Sequence, residues 1–519
     1  MKNLLESTEN VAELLAIKDA RIAELESLVK FYEGKFRLNQ HRQFGASSEK
    51  SEYDQLHLFD EVEATADENV PEPELSEIKH HFRKRKRLVN EALPEHLPVE
   101  VVEHDLPPEQ KVCDVCDGSL HVMGREKRRE LVIIPAQVKI REHVRKVYAC
   151  RDCEKDEYGV PIVKAPVNEP VIKGSFASPE AIAHIMHQKF VMGAPLYRQE
   201  QDWNRQGVLL SRQTMSNWLL KVTEDWLAPI YDAFRELLLI QKVLHADETT
   251  LQVLREPGKT AQSKSCMWLY RTSGDAKYPI VLYDYQPDRR TKRPAEFLNG
   301  FEGYLHTDGY DAYHRLPKEI VVVGCFAHAR RKWDEALKTV SESDRNGKNV
   351  LRGKRYGDKL FEIERKLADL SPQERCEKRQ ELAKPMLDEF YAWLKTLLDL
   401  PKTPLGKAVH YMFSQQKYLE RYLLDGRLDL SNNRAERSIK PFVIGRKNFL
   451  FANTPRGARA SAIMFSIIET AKENGLNPFK YLVYVFQNAP SWDIKNNPAG
   501  VEWMMPYDLS EKQRRALAN

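Results

Sequence analysis

The sequence predicts an α/β protein whose sheet-bearing core carries a large all-helical insertion, preceded by a coiled coil, a four-cysteine module and a helical region. Three observations lead there. Short runs rich in β-branched residues recur after Leu239, and two of them, Val243–Thr250 and Gly303–Tyr310, run onto an acid. Such runs, bounded by glycine and polar residues, read as strands. From about Trp333 to Leu424 the composition turns rich in Lys, Glu and Leu with helical spacing (Leu360, Ile363, Leu367, Leu370), which reads as helix throughout. Two Cys-x-x-Cys pairs stand ahead of both regions.

The 519 residues suffice for about three domains with a large core. Charged residues make up 30%, yet the net charge is only +4, so a nucleic-acid surface has to come from clustering. The first residues hold no apolar run of signal-peptide length, and no run of about eighteen apolar residues occurs, so a soluble, cytoplasmic protein with no membrane contact is expected. Seven cysteines in that setting point to metal or free thiols rather than disulfides.

Residues 1–40 repeat in sevens. Leu15, Ile22, Val29 and Phe36 fill one position, while Leu4, Val11, Leu25 and Tyr32 fill another that Lys18 interrupts. A self-associating coiled coil fits this pattern, and so does an amphipathic helix packed on its own protein. In the linker, 41–87, eight acids fall between Asp60 and Glu77 without a Lys or Arg, and the charge then inverts at Arg83-Lys-Arg-Lys-Arg87. That basic arm reads equally as solvated or as phosphate-contacting. Within 88–165, Cys113, Cys116, Cys150 and Cys153 are the donors a tetrahedral four-thiolate Zn²⁺ site needs, two per knuckle. The 34 positions between the knuckles exceed the usual spacing, but they hold apolar stretches able to form a joining hairpin.

The region 166–235 reads as helical. Leu196–Gln206 is amphipathic, Gly207 breaks it, and Ser211 can cap a second helix with Met215, Trp218 and Leu219 on one face. Arg212, Gln213, Ser216 and Asn217 then face outward, as groove-reading residues do, although a plain helical hairpin gives the same pattern. The core, 236–485 with its insertion at about 333–425, continues with strands at Met267–Thr272, Pro279–Tyr285 and Ile320–Val323 and an exposed basic loop at Arg289–Arg293 that reads equally as phosphate-contacting or solvated. Residues 486–519 form a C-terminal element.

An acid inside a strand needs a reason, because desolvating a carboxylate is costly unless it is paired or holds a metal. Asp247 lies mid-strand, Asp308 ends a strand beside Gly309, and Glu436 falls in the first turns of a helix that Ser431, Asn432 or Asn433 can cap. Gaps of 61 and 128 positions separate the three acids, the second inflated by the insertion. Converging at a sheet end, they could hold two divalent cations for in-line phosphoryl displacement. Glu248 points away from Asp247 on a regular strand, and His245 and His306 share the acids' face as neighbours rather than ligands. Arg330 and Arg331 lie near the acids in sequence, and Arg437, Lys440, Arg446 and Lys447 crowd around Glu436, so a DNA-holding surface is expected there.

The stretches His245–Thr249, Thr307–Tyr310, Cys325–Arg331, Asn432–Arg437 and Arg446–Asn448 resemble bacterial transposases of the insertion-sequence-sixty-six type, members of the DDE group. The likeness covers nearly the whole chain. It implies a ribonuclease-H-like core, with Asp247, Asp308 and Glu436 as catalytic residues holding two Mg²⁺ (or Mn²⁺) ions. It further implies cutting of inverted-repeat DNA ends, their joining to target DNA, a homodimer or higher oligomer, and small accessory proteins. Glu502–Pro506 is similar to the family's short C-terminal element, whereas Leu430-Ser431 departs from it where an acid is often found. The competing readings are a DNA-binding regulator with an inactive core and a nuclease that cuts without joining.

Overall fold

The computed structural model describes residues 137–149, 162–340, 349–397 and 403–518, together with Lys18 and Ile22. The four cysteines, the acidic linker, the basic arm and most of the heptads lie outside the described residues. Lys18 and Ile22 are helical and exposed. The chain divides into two compact units, of which Glu49–His143 is one. Every strand and helix named here belongs to the other, in the chain from Val144 onward.

Strands β1 (Val147–Ala149) and β2 (Ile162–Lys164) form a small antiparallel ladder. Three helices follow. Helix α1 (Pro179–Phe190) starts on Ser178, whose hydroxyl accepts from the Ala181 N–H. Helix α2 (Leu196–Arg205) ends before Gly207, which takes φ +79°, and α3 (Arg212–Val222) is capped by Ser211 through the Thr214 N–H. A π-helical turn, Thr223–Leu227, carries α3 into α4 (Ala228–Leu239) without a break.

The sheet is built from β3 (Val243–Gln252), β4 (Lys264–Thr272), β5 (Val281–Gln286), β6 (Gly303–His306) and β7 (Ile320–Val323). Helix α5 (Lys292–Phe297) precedes β6, and α6 (Asp311–His314) follows it. The strand order is β5-β4-β3-β6-β7. β4 runs antiparallel to β3 and β5, while β6 and β7 add in parallel on the other side of β3. β3 is therefore central, and its register sets His245 beside His306. Apart from Lys264, β4 is buried along its length, as a strand covered on both faces must be.

The insertion consists of α7 (Phe326–Leu337), α8 (Asn349–Lys366), α9 (Pro372–Lys395), α10 (Pro404–Leu419) and a 3₁₀ turn, Glu420–Leu424. It has its own core, with Phe326, Trp333, Leu360, Phe390, Met412 and Tyr422 buried together. At its centre Arg379, 1% exposed, pairs with Glu364 and donates to the carbonyls of Tyr422, Asp425 and Leu428. Helix α11 (Asn433–Phe449) then packs on β3, and α12 (Pro455–Glu473) packs on β5. Ser466 and Thr470 of α12, one turn apart, accept the outward N–H groups of Tyr283 and Val281 at 2.8 and 3.0 Å. This closes an edge strand that would otherwise offer itself for pairing. Helices α13 (Pro478–Trp492) and α14 (Glu511–Leu517) complete the chain. One hydrophobic core runs from Val171 through the sheet to Leu509, so α1, α3 and α4 share it with the strands. Among the described residues no helix is long and apolar enough to cross a membrane.

Candidate active site

Asp247 lies in the middle of β3, and its Oδ1 accepts the N–H of Glu248 at 2.8 Å. Burial holds its carboxyl well above the usual carboxylate range, and the charges of Glu248, Asp308 and Glu436 push it the same way. Asp308 and Glu436, 61 and 189 positions on in sequence, thus lie near enough in the fold for their charges to reach Asp247. Asp308 follows β6, where its Oδ1 accepts the Tyr310 N–H at 2.9 Å and its carbonyl accepts the Tyr411 hydroxyl at 3.2 Å. Gly309 turns the chain there with φ +92°, and a Cβ at that position would press on Gln415 and Tyr411. Glu436 stands in the first turn of α11. Its Oε2 is 3.4 Å from Nη2 of Arg331 and its Oε1 is 3.5 Å from Nδ1 of His328, yet Oε1 is buried and makes no hydrogen bond.

Asn432 departs from expectation. It is the N-cap residue of α11, but its side chain caps nothing. Fully buried, it reaches across to β3, where Oδ1 lies 3.0 Å from Nδ1 of His245 and Nδ2 donates to the Ala246 carbonyl at 2.7 Å. Its backbone N–H donates to Sγ of Cys325 at 3.1 Å. The same side chain therefore ties the strand of Asp247 to the helix of Glu436. His245 in turn stacks on His306, with centroids 5.1 Å apart and planes within 5°. Both rings are fully buried, and burial lowers their pKa values to about 3 and about 4. His306 Nε2 meets the Asp429 carbonyl at 2.8 Å, and the Asp429 carboxylate lies 3.6 Å from His245 Nε2. In the sequence Asn432 reads as one of three possible caps, beside Ser431 and Asn433, because its target lies 187 positions away.

Glu248 alternates to the other face, as a regular strand requires. Its side chain is 1% exposed, and Tyr313 donates to Oε2 at 2.5 Å while Arg289 bonds Oε1. Burial and the charge of Asp308 raise its pKa against those two donors. In the basic loop Arg289–Arg293, Arg290 and Lys292 are exposed, while two of the arginines find acids. Arg289 turns in to Glu248 with its guanidinium 3.7 Å from the Tyr310 ring centroid, and Arg293 pairs with Asp288 at 3.0 Å.

The basic residues expected to face DNA divide into two groups. Arg437, Lys440 and Lys447 on α11 are exposed, as are Arg212, Gln213 and Asn217 on α3. Arg330 instead pairs with Asp358 at 2.7 Å, and Arg446 bonds Thr249 and Thr250 at the far end of β3. Arg331 faces Glu436. Charge density in sequence did not separate these groups, because the acids and hydroxyls that engage the second lie on other elements. Cys266 and Cys325 are buried free thiols, and Cys376 is half-buried. Cys113, Cys116, Cys150 and Cys153 lie outside the described residues.

Four family descriptions match along the chain. They are "Transposase IS66 family" over 174–460, "zinc-finger binding domain of transposase IS66" over 110–154, "Transposase C of IS166 homeodomain" over 32–102 and "IS66 C-terminal element" over 466–499. The second contains all four knuckle cysteines. The last overlaps the C-terminal element expected at 486–519 over its first part and ends ahead of Glu502–Pro506. Among similar proteins are three of Sinorhizobium fredii named as uncharacterized. Protein y4jD is 30% identical over 440 residues, covering 81% of this chain and 82% of its own. Protein y4hP is 30% identical over 455 residues, covering 83% and 80%. Protein y4qI is 30% identical over 536 residues, covering 98% and 93%. With the longest match covering more than half of it and relatives aligned over most of both lengths, the chain belongs to the IS66 transposase family.

Proposed function

We propose that this protein cuts the inverted-repeat ends of its element and joins the freed 3′-hydroxyls to target DNA, with Asp247, Asp308 and Glu436 as the catalytic carboxylates. The observation that carries the reading is Asp247 in the middle of the central strand, its carboxyl raised first by burial and further by the charges of Glu248, Asp308 and Glu436. The strand order supports a ribonuclease-H-like core, with β3 central and β6 parallel beside it bringing Asp308 alongside Asp247.

A crowd of acids with one buried, unbonded carboxylate oxygen on Glu436 fits divalent cations, and all-oxygen donors fit Mg²⁺ or Mn²⁺. Asp247 would hold both ions, with Asp308 and Glu436 holding one each. Two such ions, when bound, lower the pKa of the attacking water or hydroxyl and stabilise the leaving 3′-oxygen. The chain's own part is to hold the carboxylates in register. Asn432 fixes the start of α11 against β3, the His245–His306 stack joins β3 to β6, and Arg331 steadies Glu436. Arg437, Lys440 and Lys447 would take phosphates, and Arg212, Gln213 and Asn217 would read the element ends. One Zn²⁺ on the four knuckle cysteines, self-association through the heptads, and small accessory proteins complete the proposal.

The test is substitution. Asp247→Asn, Asp308→Asn and Glu436→Gln each remove a charge at nearly constant size. Each should abolish both cleavage and joining in assays with pre-cut and uncut ends while leaving end binding nearly intact. Glu248→Gln, on the opposite face, should keep substantial activity. A joining-competent Glu436→Gln would remove that residue from the site, and cleavage without joining by the wild type would favour a nuclease.

A further inference from the structure

Cys325 ends the turn from β7 into α7 and is the N-cap residue of that helix, with its sulfur buried. His328 stands three residues on, one turn along, so the two side chains share a face. The first turn of α11 brings Glu436 against them, with Oε1 3.5 Å from Nδ1 of His328. The sulfur, the imidazole nitrogen and the carboxylate oxygen all lie within 4.8 Å of one another. Ligand atoms around a tetrahedral zinc are about 3.3–3.8 Å apart at ordinary bond lengths, so a contraction of about 1 Å completes three corners. Glu436 Oε1 is buried and makes no hydrogen bond, so the carboxylate oxygen nearest the ring has no donor to lose. The Asn432 N–H already donates to that sulfur at 3.1 Å, against a burial that raises the thiol.

The donor chemistry differs from that of the acid trio. Asp247, Asp308 and Glu436 offer oxygen only, which suits hard cations, whereas sulfur and imidazole nitrogen with one carboxylate suit zinc and its neighbours. Glu436 belongs to both sets, and its Oε1, buried and without a hydrogen bond, is the oxygen that faces His328. We propose that Cys325, His328 and Glu436 bind one zinc-class divalent cation with an open fourth position, and that its binding withdraws Glu436 from Asp247 and Asp308, so that zinc antagonises the magnesium-supported reaction. The binding half stands on these three residues alone; the antagonism rests on the catalytic reading of Glu436.

The experiment measures zinc per chain in full-length protein dialysed against buffered free zinc, for the wild type, His328→Ala and Cys325→Ser. The wild type should hold one equivalent more than either variant, the knuckle zinc being common to all three. His328 is partly exposed, so its truncation is expected to fold even where the buried Cys325→Ser does not; equal thermal unfolding of wild type and variant checks this. Equal zinc content in the wild type and His328→Ala overturns the site. In Mg²⁺-supported cleavage, added zinc should slow the wild type at least about tenfold. Its potency on His328→Ala, relative to that variant's own zinc-free rate, should fall by at least the roughly tenfold that even outer partners of metal ligands command. Zinc bound at one extra equivalent with cleavage undiminished overturns the antagonism. An active Glu436→Gln that still loses this zinc would leave the site standing and remove the catalytic reading instead.

Discussion

Asn432 joins three segments with one small side chain and its own N–H. Its carboxamide satisfies the Ala246 carbonyl and one nitrogen of His245, and its backbone reaches Cys325. Because it is fully buried, truncation leaves a carbonyl and a ring nitrogen without the groups they met, at about 1–3 kcal/mol for each unsatisfied group. Asn432→Ala should therefore lower thermal stability and cut the rate of end cleavage more than end binding, since the helix bearing Glu436 loses its tether to the strand bearing Asp247. Asn432→Gln, which keeps the amide but overfills the space, should not restore the rate. Unchanged cleavage in Asn432→Ala would show that α11 is held by its apolar packing alone.

Helix α3 and the insertion show how an element's surroundings decide its role. On α3, Met215, Trp218 and Leu219 are buried, while Arg212, Gln213 and Asn217 are exposed. Replacing Arg212 and Asn217 with Ala should leave the unfolding temperature unchanged and weaken end binding by about 1–3 kcal/mol for each base they read, with specificity reduced. Equal weakening on ends and on unrelated DNA would make these residues phosphate binders instead. In the insertion, Arg379 behaves oppositely. Arg379→Ala strands the Glu364 carboxylate and the three carbonyls that it served, and breaking a buried pair of this kind costs about 3–5 kcal/mol. Limited proteolysis should then open α8 and α9 before the sheet, because those helices belong to a separate core.

Across the molecule, Lys189 reports how the helical region and the core are joined. It extends from α1 over the ring of Phe449 at the end of α11, 3.8 Å from the centroid. Burial lowers its pKa to about 8 from the usual value near 10.5. The folded chain thus binds fewer protons than the unfolded one between about pH 8 and 10.5, so this residue's contribution to stability rises with pH across that window. The slope is at most about 1.4 kcal/mol per pH unit. Lys189→Met removes the penalty of burying the charge. It should raise the denaturant midpoint at about pH 7, and the gain should shrink as pH rises from about 8 toward 10.5. A gain constant with pH would mean that the ammonium stays charged and solvated in the folded state.

Local pattern determined much of this protein. The strands, the α2–α3 hairpin with its Ser211 cap, the helical insertion and the alternation that separates Asp247 from Glu248 depend on residues a few positions apart. Periodicity, turn chemistry and capping all act at that range. What the tertiary structure decided lies between residues far apart in the chain. It turned Asn432 from a cap into a tether and drew Arg289 in to Glu248. It also spent Arg330 and Arg446 on neighbours within the fold while leaving Arg437, Lys440 and Lys447 exposed, and it set Cys325 and His328 against Glu436. In each case a polar side chain buried on folding had to find a partner, and no local pattern names a partner that the fold brings in from far along the chain.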